Sequence, residues 1–139
     1  MIRQAIGTVE LQPSCRGLHL ITDKVVHWLG DQHIVTGLLT LLCRHTSASL
    51  LIQENAAPAA RRDLEKYFAR IAPEGPGYEH DDEGPDDMPA HLRSALTQTQ
   101  LSIPVEHGRM LLGTWQGIYL FEHRRRPPAR EIALHLIGE

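Results

Sequence analysis

The sequence predicts one α+β domain over residues 1–139, built from a mixed or antiparallel sheet or sandwich of about six to eight strands with two or three helices. A chain of 139 residues is close to the commonest domain size. Segments with strand spacing and segments with helix spacing do not alternate regularly, which argues against a doubly wound sheet. No internal repeat or long linker divides the chain.

The N-terminal part of the chain predicts two strands and a helix. Residues 2–11 alternate apolar and polar side chains, as a half-buried strand does, and residues 17–21 indicate a second, shorter strand. Thr22 or Asp23 is a plausible N-cap for a helix that ends at Gly30. We therefore expect a strand–strand–helix start.

The remaining elements follow from apolar runs and from the positions of proline and glycine. The dense apolar run 34–43 indicates a buried strand, and 47–52 indicates another. Pro58 suits the first turn of a helix, 73–84 is a glycine- and proline-rich loop, and Asp87 begins a short helix. Three further strands are predicted at 101–105, 117–122 and 130–137.

Composition excludes several classes of protein. The formal charge is −3, and the basic residues form one short cluster near the C-terminus, whereas a nucleic-acid-binding protein presents a basic face. No stretch approaches the roughly 20 apolar residues that span a bilayer. The two cysteines have no CxxC spacing, and the N-terminus has no apolar run typical of a signal peptide. We therefore expect a cytoplasmic protein without nucleic-acid or membrane partners.

The first segment with chemical potential is HTSASL at 45–50. If it is a strand, His45, Ser47 and Ser49 lie on one face. One imidazole beside two hydroxyls suits a phosphate or a water bound to a metal. The alternative is a histidine at the end of a strand that only makes structural hydrogen bonds.

The second segment is YEHDDEGPDDMPAH at 78–91. His80 and Asp82 share a face if the loop is extended, and Asp87 and His91 lie one helical turn apart, so their side chains can converge. The alternatives are a solvated acidic loop, with Asp87 simply capping the helix.

Histidines from separate segments suggest a metal site. His45, His80 and His91 can form a tetrahedral site with one open position, because imidazole nitrogens and carboxylate oxygens are the usual ligands of zinc and related ions. Such a site polarises a phosphoryl oxygen or a bound water. We expect a divalent metal, zinc or magnesium, and no organic cofactor.

The third segment is GTWQG at 113–117, followed by Glu122-His123-Arg124. The flanking glycines let backbone approach a ligand closely. Trp115 can stack on an aromatic ring, Gln116 can donate and accept hydrogen bonds, and Arg124 can clamp a phosphate with two donors. The alternative for Trp115 is a core residue at a tight turn.

Together the blocks HTSASLLIQEN, YEHDDEGPDDMPAH and GTWQGIYLFEHR, with the terminal LIGE, resemble the YjbQ family, whose members are usually described as secondary thiamine-phosphate synthases. The resemblance extends from about Arg16 to Glu139 and implies a homotrimer with a polar site near the subunit boundary. That site would be lined by His45, His80, His91 and the carboxylates of Asp82 and Asp87. Where the family usually has glycines after its EHR block, this chain has the stiff, basic segment 125–128.

These patterns support three functions. The first, which the resemblance implies, joins a hydroxymethylpyrimidine diphosphate to a thiazole phosphate as a main or a side activity. The second is metal-dependent hydrolysis of a small phosphoester, and the third is a non-catalytic module that binds a small anion. We assign catalysis to His45, Asp82 and Asp87. We assign substrate contacts to Ser47, Ser49, Asn55, Trp115, Gln116 and Arg124.

Overall fold

The computed structural model describes residues 1–139 and confirms the α+β prediction with eight strands and three helices. The elements are β1 Arg3–Leu11, β2 Gly17–Leu20, α1 Thr22–Gly30, β3 Gly37–Cys43, β4 Ala48–Glu54, α2 Pro58–Ile71, α3 Asp87–Leu96, β5 Gln100–Glu106, β6 Arg109–Met110, β7 Gln116–Glu122 and β8 Arg130–Gly138. The strands form a five-stranded sheet in the order β1-β8-β3-β5-β6 and a three-stranded sheet in the order β2-β7-β4. Every strand pair is antiparallel.

The main core lies between the two sheets. Strand β8 alternates, so that Ile132, Leu134 and Leu136 are fully buried while the residues between them are less buried. Leu50 and Leu120 of the smaller sheet belong to the same buried cluster. The two sheets therefore pack face to face, and the buried residues of the alternating strands fill the space between them.

The outer face of the three-stranded sheet is covered by α2. Tyr119 and Phe121 of the central strand β7 are buried and pack with Leu64 and Phe68 of the helix. Since β7 is covered on both faces, its apolar residues run continuously through 118–121 instead of alternating.

The outer face of the five-stranded sheet carries exposed apolar side chains. Ile6 is 80% exposed, and Leu38, Leu42 and Ile137 are between 39% and 45% exposed. Leu38 and Ile137 are direct cross-strand partners. We call this surface the outer sheet face.

The strands on either side of His45 differ in their bounds from the sequence predictions. The strand predicted at 34–43 begins at Gly37, and the strand predicted at 47–52 occupies Ala48–Glu54. His45 therefore precedes the strand that contains Ser49, and the shared strand face predicted for the two residues does not form. Helix α1 has no side-chain cap, because Thr22 Oγ1 instead accepts a hydrogen bond from the backbone N–H of Ile118 at 2.9 Å.

The short strand β6 was not predicted. It pairs with β5 through a two-residue turn in which His107 and Gly108 have φ angles of 54° and 74°. A turn with two positive φ angles matches the twist of a hairpin, and glycine adopts it freely. None of the three helices has the length and apolar content that crossing a membrane requires.

Candidate functional site

Four side chains converge at the start of α3. The ligand atoms of His80, Glu83, Asp87 and His91 all lie within 4.8 Å of one another. Two of these residues come from the loop before α3, and the other two lie one turn apart on the helix itself. We call this group the acid–histidine cluster.

Asp87 is the centre of the cluster. Its Oδ2 lies 2.8 Å from His80 Nε2 and 3.0 Å from His91 Nε2, and its Oδ1 accepts a hydrogen bond from Arg124 Nη1 at 2.6 Å. Desolvation by burial opposes ionisation, but the hydrogen bond from His80 and the charges of His91 and Arg124 outweigh it and lower the pKa of Asp87. No side chain caps α3, so Asp87 is not the helix cap of the alternative prediction.

The orientation of His91 is set from outside the cluster. Its Nδ1 lies 2.9 Å from the carbonyl oxygen of Thr46, which can only accept, so Nδ1 carries the proton. In the neutral ring the lone pair of Nε2 is then directed at Asp87. Carbonyl partners of this kind orient histidine ligands in metal sites.

His80 faces three carboxylates. Its Nε2 lies 3.0 Å from Glu83 Oε2 as well as near Asp87, and its Nδ1 is 3.4 Å from Asp82 Oδ1. The hydrogen bond with Asp87 is the largest cause of a raised pKa of His80, and the charges of Asp82 and Glu83 add to it. The acidic run at 79–87 is therefore more than a solvated loop, because part of it surrounds one imidazole.

The donor set of the cluster fits a divalent transition metal. Two imidazoles and two carboxylates are typical ligands of zinc and related first-row ions, whereas magnesium prefers oxygen ligands alone. His80 and His91 also bring both of their Nε2 atoms toward the same carboxylate oxygen. Without a metal, that geometry requires a proton on each of those nitrogens.

Arg124 orients the cluster, and each of its three nitrogens donates a hydrogen bond within the protein. Its Nε donates to Asp86 Oδ2 at 3.1 Å, its Nη1 to Asp87, and its Nη2 to the carbonyl oxygen of Glu83 at 3.0 Å. Asp86 Oδ2 also accepts from the backbone N–H of Arg125. Arg124 thus holds the carboxylates in this structure, and the phosphate clamp predicted for it stays a prediction.

The two serines predicted to contact substrate make internal hydrogen bonds. Ser49 is fully buried, and its Oγ lies 2.9 Å from His123 Nε2 and 2.6 Å from Thr97 Oγ1. Ser47 Oγ accepts a hydrogen bond from Arg130 Nη2 at 3.0 Å. Both hydroxyls stabilise the N-terminal end of β4, and the buried Ser49 is not accessible to a ligand.

His45 lies outside the acid–histidine cluster. Its Nε2 accepts a hydrogen bond from the backbone N–H of Glu131 at 2.8 Å. Burial, with a further contribution from the charge of Arg130, lowers the pKa of His45, so the ring is neutral at pH 7. Its one lone pair is already used, and the predicted role of His45 as a third histidine ligand of the cluster does not fit.

A neutral His45 still faces a pocket near the cluster. The pocket has a volume of about 370 Å³, and both His45 and His91 line it. With Nε2 accepting, Nδ1 carries the proton, so His45 can offer one N–H donor.

The predicted contacts Asn55, Trp115 and Gln116 lie at the other end of β7. Gln116 begins this strand and Glu122 ends it, six residues or about 20 Å away. Asn55 Nδ2 lies 3.4 Å from the carbonyl oxygens of Thr114 and Gln116, and Gln116 Oε1 accepts from the N–H of Gly113 at 2.7 Å. Trp115 is 63% exposed, so it is not a core residue, but it cannot reach the cluster of its own chain.

The sequence matches one protein family over almost its whole length. The family model described as UPF0047 protein YjbQ-like matches residues 7–139. The chain belongs to this family. The UPF0047 protein YjbQ of Escherichia coli O157:H7 is 48% identical over 133 residues, which are 95% of this chain and 96% of that protein. A UPF0047 protein of Synechocystis is 51% identical over 125 residues, which are 89% of this chain and 85% of that protein.

A solved structure shows the same fold. A YbjQ-like protein of unknown function from Sulfolobus solfataricus superposes with a TM-score of 0.92 over the full length of both chains, at 21% sequence identity. The family predicted from the motif blocks is thus confirmed. The thiamine-phosphate synthase activity stays a prediction.

A buried ion pair beside the site was missed in the sequence. Arg130 and Glu122 are 2% and 0% exposed, and Arg130 Nε donates to Glu122 Oε1 at 2.6 Å. Glu122 Oε2 also accepts from the backbone N–H groups of His123 and Arg124, each at 3.1 Å. Arg130 belongs to the basic cluster near the C-terminus. Its position at the start of an alternating strand was the signal that it points inward.

The charge state of His80 gives a testable pH dependence for this YjbQ-like protein without metal. A pKa raised above 6.5 in the folded state means that His80 stabilises the fold below that pH, and that this stabilisation is lost as pH rises through the folded value. We expect wild type to exceed His80→Gln in melting temperature at about pH 6 and to lose that advantage near pH 8.5. Thermal melts with a chelator present measure it. An advantage that is constant with pH would contradict the assignment.

Proposed function

We propose that the protein is a metal-dependent enzyme that acts on a small substrate carrying a phosphate or diphosphate. The observation that carries this proposal is the convergence of two imidazoles and two carboxylates within 4.8 Å at the start of α3. A divalent ion held by His80, Glu83, Asp87 and His91 would act as a Lewis acid toward a phosphoryl oxygen. Arg124 holds Asp86 and Asp87 in place for that role.

Two pockets beside the cluster support a phosphorylated substrate. One, of about 280 Å³, is lined by Asp86 and by Arg124, Arg125 and Arg126. Arginine side chains match phosphate geometry and carry charge at every relevant pH. The other is the pocket between His45 and His91. A substrate that extends across the cluster would place its phosphate in the first pocket and its organic part in the second.

The first reaction to test is thiamine-phosphate synthesis, which the family resemblance implies. The bond from the methylene carbon of the pyrimidine to the diphosphate oxygen breaks, pyrophosphate leaves, and the thiazole nitrogen bonds to that carbon. Arg125 and Arg126 would share the charge of the departing pyrophosphate. Trp115 would stack on a ring only across a subunit boundary, because in its own chain it lies at the far end of β7, a strand about 20 Å long.

Hydrolysis of a small phosphoester is the second candidate. It is favoured by Asp82, whose side chain is 81% exposed and lies 3.4 Å from His80 Nδ1, where it can act as a general base. Asp87 does not suit that role, because its lowered pKa and its contacts with His80, His91 and Arg124 make it a ligand.

The two reactions are separated by one set of assays on untagged protein loaded with zinc. The first assay supplies both heterocyclic substrates and measures thiamine phosphate and pyrophosphate. The second supplies a panel of phosphoesters and measures inorganic phosphate, with and without chelator. We expect turnover that both chelator and Asp87→Asn abolish. Metal binding without turnover in either assay would reject the enzyme proposal and favour the anion-binding module.

We also propose that the chain forms a homotrimer through the outer sheet face. The face exposes Ile6, Leu38, Leu42 and Ile137, and contiguous exposed apolar surface is typical of a protein interface. We expect sedimentation to give three times the chain mass of 15.6 kDa, and Leu38→Glu to give a smaller species. The matched control is Leu96→Glu, at an exposed leucine in the last turn of α3, outside this face. A wild-type monomer at micromolar concentration would contradict the proposal.

A further inference from the structure

A second cationic pocket lies on the opposite side of α3 from the acid–histidine cluster. It has a volume of about 220 Å³, and its lining includes Arg16, Lys66, Arg93 and Phe121. Arg93 follows His91 by two residues, which places it about 200° around the helix axis. The pocket and the cluster therefore use different faces of one helix. We call this cavity the Arg93 pocket.

Arg93 is a buried cation without an acidic partner. Arg93 is only 6% exposed. Nη2 donates to the carbonyl oxygen of Ala72 at 3.1 Å, while the buried Nε has no hydrogen-bond partner. A buried charge is normally compensated by a counter-charge, since leaving it unpaired destabilises the fold.

The surrounding charges leave a positive excess. The acidic neighbour that acts on Arg93 is Glu74, and this carboxylate already pairs with Arg16 through Oε1 and with Arg125 through Oε2. One carboxylate thus serves three guanidinium groups. Burial, followed by repulsion from Arg16, lowers the pKa of Arg93 from its usual value.

The acidic residue in the pocket wall is also committed. Glu65 Oε1 accepts a hydrogen bond from the backbone N–H of Leu18 at 3.0 Å. The Glu65 carboxylate also lies against Gly17, where it occupies the position that a Cβ would take. Gly17 has a φ of 122°, a conformation that glycine adopts freely. Glu65 therefore fixes the start of β2, and the three cations Arg16, Lys66 and Arg93 outnumber its one negative charge in the pocket wall.

We propose that the Arg93 pocket binds a phosphate group, either as inorganic phosphate or as the phosphate of a small metabolite. Guanidinium groups offer paired donors that match phosphate oxygens, and Arg16 and Arg93 both line this pocket. The volume suits a small anion with some hydration, because one water occupies about 30 Å³. Phosphate bound there would supply the counter-charge that the protein itself does not provide.

This site is independent of the proposed enzyme activity. The test therefore uses calorimetric titration of inorganic phosphate into protein with a chelator present, so that a metal in the cluster contributes nothing. Variants are Arg93→Gln and Lys66→Gln, each of which removes one positive charge from the pocket. The matched control is Arg62→Gln, which removes an exposed charge from the same helix as Lys66.

We expect Arg93→Gln to weaken phosphate binding at least about 10-fold and Lys66→Gln about 3-fold, with Arg62→Gln unchanged. Lys66 is exposed, so its variant preserves the test if Arg93→Gln does not fold. The titrations are repeated with phenyl phosphate. Tighter binding of this ester identifies a phosphorylated metabolite, and tighter binding of the free ion identifies inorganic phosphate. No binding to wild type at about 10 mM phosphate, or equal binding by all variants, would overturn the site.

Discussion

Asp87→Asn should weaken zinc binding by at least about 100-fold. Partners outside the coordination shell change metal affinity by about 10–100-fold, and a residue within the shell contributes no less. Asp87 Oδ2 is the one atom that both His80 and His91 approach, at 2.8 and 3.0 Å. Asparagine keeps the size of the side chain but removes its charge. Competition with a chromogenic chelator at neutral pH measures the affinity.

Two further variants place this effect on a scale. Arg124→Gln removes the outer partner of Asp87 Oδ1 and should cost about 10–100-fold. Asp81→Asn is the matched control, because its carboxylate lies in the same loop, is exposed and does not belong to the four ligands. We expect a change below about 3-fold for Asp81→Asn. Equal losses for Asp81 and Asp87 would mean that the loop attracts cations only through its overall charge.

Arg130→Met should lower the free energy of unfolding by about 3–5 kcal/mol. Removing one partner of a buried ion pair leaves the other charge uncompensated, and that cost is of this order. Glu122 is fully buried, and two hydrogen bonds join it to Arg130. Ser47 also loses a donor when Arg130 is replaced. Urea unfolding at pH 7 measures the change.

An exposed ion pair in the same sheet is the control for Arg130→Met. Arg44 and Glu131 are 3.0 Å apart, and their side chains are 59% and 46% exposed. Arg44→Met should therefore cost less than about 1 kcal/mol. The double variant Glu122→Gln/Arg130→Met should lose less than the sum of its two single variants, because no buried charge is left. If Arg130→Met were as mild as Arg44→Met, the ion pair would have no structural role.

Local patterns in the sequence predicted the elements and part of the site. Alternation in β8 and the continuous apolar run in β7 report burial on one face or on two, which needs only short-range information. The spacing of Asp87 and His91 predicted convergence, because one helical turn fixes the relation between them. Glu83 was not predicted as a site residue, because it lies within a run of acidic residues. Its distance of three residues from His80 was the available signal.

Local patterns in the sequence did not predict which segments that are far apart in the chain contact each other. His45 contacts the backbone of Glu131, 86 residues away, through the pairing of β3 with β8 that brings these chain segments together. Trp115 and Arg124 are close in sequence but flank opposite ends of an extended strand, which separates them by about 20 Å within one chain. A sequence motif that contains a whole strand spans the length of that strand, so its two ends lie far apart in the fold.

The central claim is that His80, Glu83, Asp87 and His91 hold a divalent metal. The most direct measurement is elemental analysis of untagged protein, dialysed after incubation with zinc at neutral pH, where the metal competes with protons for the ligands. We predict about one zinc per chain for wild type and near background for Asp87→Asn. Wild-type protein that retains no more zinc than Asp87→Asn would contradict the claim.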